Sequence, residues 1–224
     1  MEIKNIRAIH DREYIYELIA EGEHENQDFK FQISDSRKIA RSIAAFANNN
    51  GGHLLIGVKD NGVIAGIRSE EEYYMIEQAS ELYCRPAQSV EQTLYNIDGK
   101  MILKVDIKKT QGYPVEAQDD NRQWQIYYRV VDENIQAPDL FVKIWKAKNE
   151  SEGVLLNFTE RESKMLAFIS NKKIVTIEEL SIIFHQSIDN IEISIARLCA
   201  MEVLKPIYAN GKWGVAVSEP EPFP

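Results

Sequence analysis

Between Ser34 and Gly66 the chain reads SDSRKIARSIAAFANNNGGHLLIGVKDNGVIAG, and three kinds of local signal, for a helix, a buried strand and a hairpin turn, follow one another within it. Ser34 is a good helix N-cap, because a hydroxyl there satisfies a free amide of the first turn. Ile39, Ile43, Ala44, Phe46 and Ala47 recur at helical spacing and predict one apolar face, with Arg37, Lys38 and Arg41 on the remaining surface. Asn48 to Gly52 predicts the helix end, since Asn and Gly tolerate left-handed backbone. The apolar run from Leu54 to Val58 then predicts a buried strand. Lys59-Asp60-Asn61-Gly62 turns the chain, and Val63 to Gly66 is expected back as a hairpin partner.

The flanking segments extend this pattern. Asp11 and Gly22 bracket a helix from Arg12 to Ala20 with the apolar stripe Tyr14, Ile15, Leu18 and Ile19. That stripe suits a core, or a contact with a second subunit. Phe29, Phe31 and Ile33 alternate with Asp28, Lys30 and Gln32, as in a half-buried strand with one open polar face. A helix is expected from Ser69 to Tyr83, stopped by Arg85-Pro86. Ser89 to Ile97 and Lys100 to Lys108 flank Asp98-Gly99, a strong hairpin signal. Tyr113 to Ala117 and Gln123 to Val131 predict a further strand pair, and Asp139 to Lys148 a closing helix.

On these residues the chain resembles the Schlafen AlbA-type domain, a family also described as divergent AAA. That family is marked by a Glu-Phe-Lys strand, a helix ending in Ala-Phe-Ala-Asn, a Gly-Gly pair and an Ile-Gly-Val-x-Asp-x-Gly hairpin. Here Asp28-Phe29-Lys30 stands for the first, and Ala45-Phe46-Ala47-Asn48, Gly51-Gly52 and Ile56-Gly57-Val58-Lys59-Asp60 match the rest. The resemblance covers about Glu21 to Ala147 and implies an α+β fold with a mixed sheet and an association with nucleic acid, DNA or structured RNA. Catalytically active Schlafen nucleases use three acidic residues, whose matching positions are Glu23, Asp28 and Asp60. Converging on Mg²⁺ or Mn²⁺, they would make a metal-dependent endoribonuclease. The divergent-AAA label suggests a nucleotide, but no Gly-x-x-x-x-Gly-Lys-Ser/Thr loop is present, so ATP has no motif behind it and no cofactor is required.

Phosphate binding has its own candidates. Asn48, Gly51 and Gly52 would present backbone amides, and Lys30, Arg37, Lys38, Arg41, Lys59 and Arg129 would supply positive charge. Each has a plainer alternative as a turn or a solvated face. The net charge of -9 argues against a protein that coats nucleic acid over its whole surface.

After a polar linker at residues 149–156, Thr159-Glu160-Arg161-Glu162 and Thr176-Ile177-Glu178-Glu179 both read as capping boxes. Ser187 caps a third helix, and Val203 to Val217 reads as a hairpin. Three helices and a hairpin over residues 157–218 resemble the winged-helix order of many regulators, before a tail at 219–224. The third helix opens on Asp189 and Glu192, and residues 157–218 hold seven Lys or Arg against seven Asp or Glu. DNA reading and protein pairing, including homo-oligomer formation, are therefore both open for this module. The expected organisation is two domains, 1–148 and 157–218, in a cytoplasmic DNA-binding transcriptional regulator. A nuclease and a pure interaction module are the alternatives. No apolar stretch approaches the roughly 20 residues that span a membrane. Cys84 and Cys199 lie near no His or Cys partner, and His10, His24, His53 and His185 lack ligand spacing.

Overall fold

The computed structural model describes residues 7–150 and 159–218. Two compact units emerge, residues 1–136 and 137–224.

The first unit begins with α1 (Arg12–Glu21), capped by the Asp11 side chain on the Tyr14 amide at 3.1 Å and stopped at Gly22. There follow β1 (Gln27–Lys30), α2 (Ser36–Asn48), β2 (Gly52–Ile56), α3 (Glu71–Leu82), β3 (Cys84–Arg85), β4 (Val90–Ile97) and β5 (Lys100–Ile107). β6 (Glu116–Gln118), β7 (Trp124–Val130) and β8 (Glu133–Gln136) complete it. One mixed sheet has the order β1-β2-β5-β4, with β1 and β2 parallel and the other pairs antiparallel. A second, antiparallel sheet has the order β3-β6-β7-β8.

Helix α2 is buried against both sheets. Ile39, Ile43 and Phe46 join Leu54, Ile56, Leu103 and Val105 of the first sheet, and Val115, Ala117 and Tyr127 on the side of the second, in one core. Ala40, Ala44, Ala45 and Ala47 are fully or nearly fully enclosed, and their small size lets two sheets approach one helix. Successive strand residues point to opposite faces, so Leu55 and Phe29 pack the other side of the first sheet against Ile15 and Leu18 of α1. The stripe on α1 thus belongs to a core.

Several expectations change in detail. The α2 cap is Asp35, whose carboxylate accepts the Arg37 amide at 2.9 Å, and not Ser34. The return strand at Val63 to Gly66 shrinks to a single bridge between Val58 and Ile64. β1 is shorter than expected, and the face carrying Asp28 is covered: Asp28 is 2% exposed. The Asp98-Gly99 hairpin forms as read, with both turn residues at positive φ. β8 was not foreseen. It returns through Val131 at φ 57, a conformation that β-branched residues avoid.

The second unit contains α4 (Leu140–Glu150), α5 (Glu160–Ser170), α6 (Ile177–Phe184), α7 (Ile188–Ala200) and the antiparallel pair β9 (Leu204–Ala209) and β10 (Lys212–Val217). The Thr159 and Glu162 side chains complete a capping box, and Thr176 and Ser187 cap the next two helices. Val175 and Val215 exchange two backbone hydrogen bonds, at 3.0 and 2.8 Å, tying the α5–α6 segment to the hairpin. The domain boundary moves. Leu140 of α4 sits in the core with Met165, Ile191, Ile195 and Leu204, and Lys143 pairs with Asp189 and Glu192 of α7. An amphipathic helix goes where its apolar face is covered, and for α4 that place is α7. Asn149 and Glu150, read as linker, continue α4; the rest of that linker and the tail at 219–224 lie outside the described residues.

Candidate nucleic-acid interface

The carboxylates proposed for metal chemistry do not form one site. Asp28 Oδ2 lies 2.5 Å from Lys30 Nζ, and its Oδ1 lies 3.1 Å from Arg129 Nη2. Glu23 accepts the Phe29 amide at 2.9 Å. Burial first, then a hydrogen bond with Asp28, push the Glu23 carboxyl above its ordinary value. Two acids thus face two cations in a neutralised, mostly buried cluster. Asp60 is exposed in the turn after Lys59 and does not join them. Among the described residues no three His, Cys, Asp or Glu side chains are placed to hold a metal ion. The donor set therefore does not fit a Mg²⁺ or Mn²⁺ centre, because each oxygen of Asp28 already faces a protein cation.

Arg129, read as a phosphate ligand, is 3% exposed and engaged throughout. Nε donates to His24 O at 3.4 Å, Nη1 to Asn134 Oδ1 at 3.1 Å and Nη2 to Gln27 O at 3.3 Å, and the group stacks 5.2 Å from the Phe46 ring. Lys30 also donates to Phe29 O. Both hold the fold together.

The expected phosphate cradle has the same fate. Asn48 Nδ2 donates to Val115 O at 2.8 Å and Tyr127 O at 2.9 Å, while its Oδ1 accepts the Val115 amide at 2.7 Å. Asn49 grips the Arg129 backbone on both its amide and its carbonyl. The Gly51 amide is bonded to Phe46 O. A Cβ at Gly51 would meet Ile107 O at 2.7 Å, and one at Gly52 would meet Asn26 O at 2.5 Å. The glycines allow close approach, but of the chain to itself.

Other cations are available at the surface. Lys59 and Arg68 are exposed and flank the partly exposed Phe31 ring, at 5.3 and 5.0 Å from its centre. Lys38 is exposed on α2. Arg37 is partly exposed, lies 4.9 Å over Tyr83 and donates to Gln118 Oε1 at 3.3 Å. Arg41 is paired with Asp120 at 2.6 Å. Phe31 and Arg68 escaped the sequence reading: alternation assigned Phe31 to the buried face, and Arg68 lies in a loop without periodicity. Lys59, Arg68 and Arg37 each lie within reach of an aromatic face, a favourable arrangement for a cation at the surface.

In the second unit, Asp189 and Glu192 at the start of α7 are matched by Lys143 at 2.5 and 2.7 Å, and Arg197 pairs with Glu162 at 3.1 Å. Ile188 and Ile193 remain about half exposed on α7. Lys173, Lys205 and Lys212 are exposed. His185 ends α6 in the left-handed conformation. His53 is bonded through Nε2 to Gln27 Oε1 at 2.7 Å, and burial lowers its pKa. Burial pushes the thiols of Cys84 and Cys199, which form no disulfide, up to about 12.

A mixed sheet, a central helix clamped by asparagines and a second small sheet define an α+β domain whose surface cations sit on loops and on one helix face. The chain belongs to the Schlafen AlbA family: the family model described as Schlafen, AlbA_2 matches residues 23–138, just over half of it. Among solved structures it is similar to the DIP2311 protein of Corynebacterium diphtheriae, at 19% identity over 58% of this chain and 28% of that one, with a TM-score of 0.43. It is also similar to the N-terminal domain of a RecG-related protein of Nitrosomonas europaea, at 21% identity over 58% of this chain and 94% of that one, with a TM-score of 0.42. This chain thus spans little more than a quarter of the DIP2311 protein. No curated protein matches it. No helix among the described residues is long and apolar enough to cross a membrane.

Proposed function

We propose that this protein binds nucleic acid through its Schlafen AlbA domain and acts in the cytoplasm as a DNA-binding transcriptional regulator. The observation that carries the reading is the surface group of Lys59, Phe31 and Arg68, where two exposed cations flank one ring. Cations neutralise phosphates, and the shared ring helps to hold both cations at the surface. Family membership supports the association with nucleic acid. On a chain of net charge -9 such binding is local, with few phosphate contacts and strong dependence on salt.

The order α5, α6, α7 and hairpin supports a winged-helix reading of the second unit. Balanced charge and the exposed Ile188 and Ile193 favour a protein contact, such as a second copy of the chain, over base reading by α7. The nuclease reading loses ground, since Asp28 is held by Lys30 and Arg129.

Fluorescence anisotropy with labelled duplex DNA, single-stranded DNA and structured RNA at two salt concentrations tests the reading. Wild type is expected to bind with a salt-sensitive affinity, and Lys59→Ala combined with Arg68→Ala to reduce the salt slope by about 2. Absence of binding at the lower salt rejects it. Cleavage of the same oligonucleotides with Mn²⁺, lost in Asp28→Asn, would restore the nuclease.

A further inference from the structure

Helix α2 presents Arg37, Lys38 and Arg41 on one stretch of surface, and the turn joining β6 to β7 brings Asp120 against them. Asp120 Oδ1 stands 2.6 Å from Arg41 Nη2, although the Asp120 side chain is 67% exposed. Arg41 is in the opposite position. Its side chain is only 22% exposed, and its Nε and Nη2 are shielded from solvent without a well-directed hydrogen bond. A guanidinium offers five donors in a planar fork, and one carboxylate oxygen off the N–H directions leaves that fork unsatisfied. Arg37, one turn earlier, is anchored by Gln118 and Tyr83, and Lys38 makes no ion pair among the described residues.

The loop that carries Asp120 is a self-contained turn. Asp119 Oδ1 accepts the Gln123 amide at 2.8 Å, the Asp119 amide donates to Gln123 O at 2.8 Å, and Arg122 takes positive φ. Asp119 therefore serves the turn, whereas Asp120 has no partner among the described residues except Arg41. One carboxylate faces three cations. Contact with Arg41, helped by the charges of Lys38 and Arg37, holds the Asp120 carboxyl below its ordinary value.

We propose that this face of α2 is a binding site for a phosphate group, which Asp120 occupies as an internal stand-in until a ligand displaces it. A phosphate brings more charge than a carboxylate and enough oxygens to take Arg41 Nε and Nη2 together, with Lys38 alongside. The β6–β7 turn thereby weakens every phosphate ligand by the strength of one exposed ion pair, which is small enough to be overcome. The shared chemistry is a phosphate oxygen, whether from a nucleic-acid backbone or from a free nucleotide. Only the first source rests on the function proposed above.

The test follows the Arg41 side-chain Nε–H signal by NMR in the full chain during titration with inorganic phosphate, then ATP, then a short single-stranded oligonucleotide. Wild type, Asp120→Asn and the control Asp98→Asn are compared; Asp98 is an exposed acid paired with Arg12. Asp120→Asn is expected to bind inorganic phosphate about three- to fivefold more tightly than wild type, with the Arg41 signal shifting, while Asp98→Asn stays at wild-type affinity. Equal affinity in wild type and Asp120→Asn, or an equal gain in Asp98→Asn, overturns the proposal. The ATP and oligonucleotide arms identify the source by whichever shows the larger gain. If phosphate binds as expected and no oligonucleotide does, the nucleic-acid reading fails and the anion site stands. If oligonucleotides bind through Lys59 and Arg68 but Asp120→Asn changes nothing, only the stand-in fails.

Discussion

Two groups of charges in the first unit are built from the same residue types and have opposite fates. Around Asp28, Lys30 and Arg129 are closed on protein acceptors, and Arg129 is 3% exposed. Around Phe31, Lys59 and Arg68 both lie over one ring and are exposed to solvent. A basic residue in a recognised motif therefore says little about ligand binding until its acceptors are known. Lys30 and Arg129 hold the domain together, and Lys59 and Arg68 are the ones available to a partner.

The sharpest way to break this comparison is Arg129→Met. It leaves Asp28 buried with Lys30 alone, and breaking a buried pair typically costs about 3–5 kcal/mol. Urea unfolding followed by Trp124, in a background where Trp145 and Trp213 are Phe, reads the first unit. Lys59→Ala in the same background is expected to stay within about 0.5 kcal/mol of wild type. Similar costs for the two variants would erase the distinction.

Asn48→Ala comes next. It removes three hydrogen bonds to Val115 and Tyr127, and leaving buried backbone groups unpaired costs about 2–3 kcal/mol. A loss of that size with unchanged oligonucleotide affinity would sharpen the assignment of Asn48 to the fold. Weakened binding at equal stability would return it to the interface.

The smallest effect concerns Glu23. Its carboxyl is raised by burial first and by Asp28 second, so the fold favours the protonated acid. That contribution is fully present below the ordinary carboxylate value and is lost as pH rises through the raised one. Falling from neutral to mildly acidic pH, wild type should gain stability relative to Glu23→Gln, whose amide cannot ionise. Parallel stability curves for the two proteins would remove the coupling to Asp28.

Local rules made much of the fold legible. Asp98-Gly99 predicted its hairpin, Thr159 and Glu162 their capping box, and the Ile39 to Ala47 periodicity the central helix. What escaped depended on contacts made far along the chain. Alternation in β1 correctly set Asp28 apart from Phe29, but it contains nothing about Arg129 covering that face. β8 was hidden because Val131 takes a backbone conformation that residue preferences argue against. α4 follows the first domain closely in sequence, yet its apolar side fits α7. The site was less legible than the fold, because Phe31 and Arg68 meet only once two loops are in place.

Asn48 and Asn49 hold the backbone at Val115, Tyr127 and Arg129, so the short motif that marks the family is not the smallest piece of chain able to fold. A fragment ending after β5 would keep the sequence from Ala45 to Gly62 intact. It would also lose the acceptors of both asparagines and bare the alanine side of α2. The true length of this domain is set by carbonyl groups in β7. A shortened relative that kept the motif but lacked β6 to β8 would have to find replacements for them elsewhere.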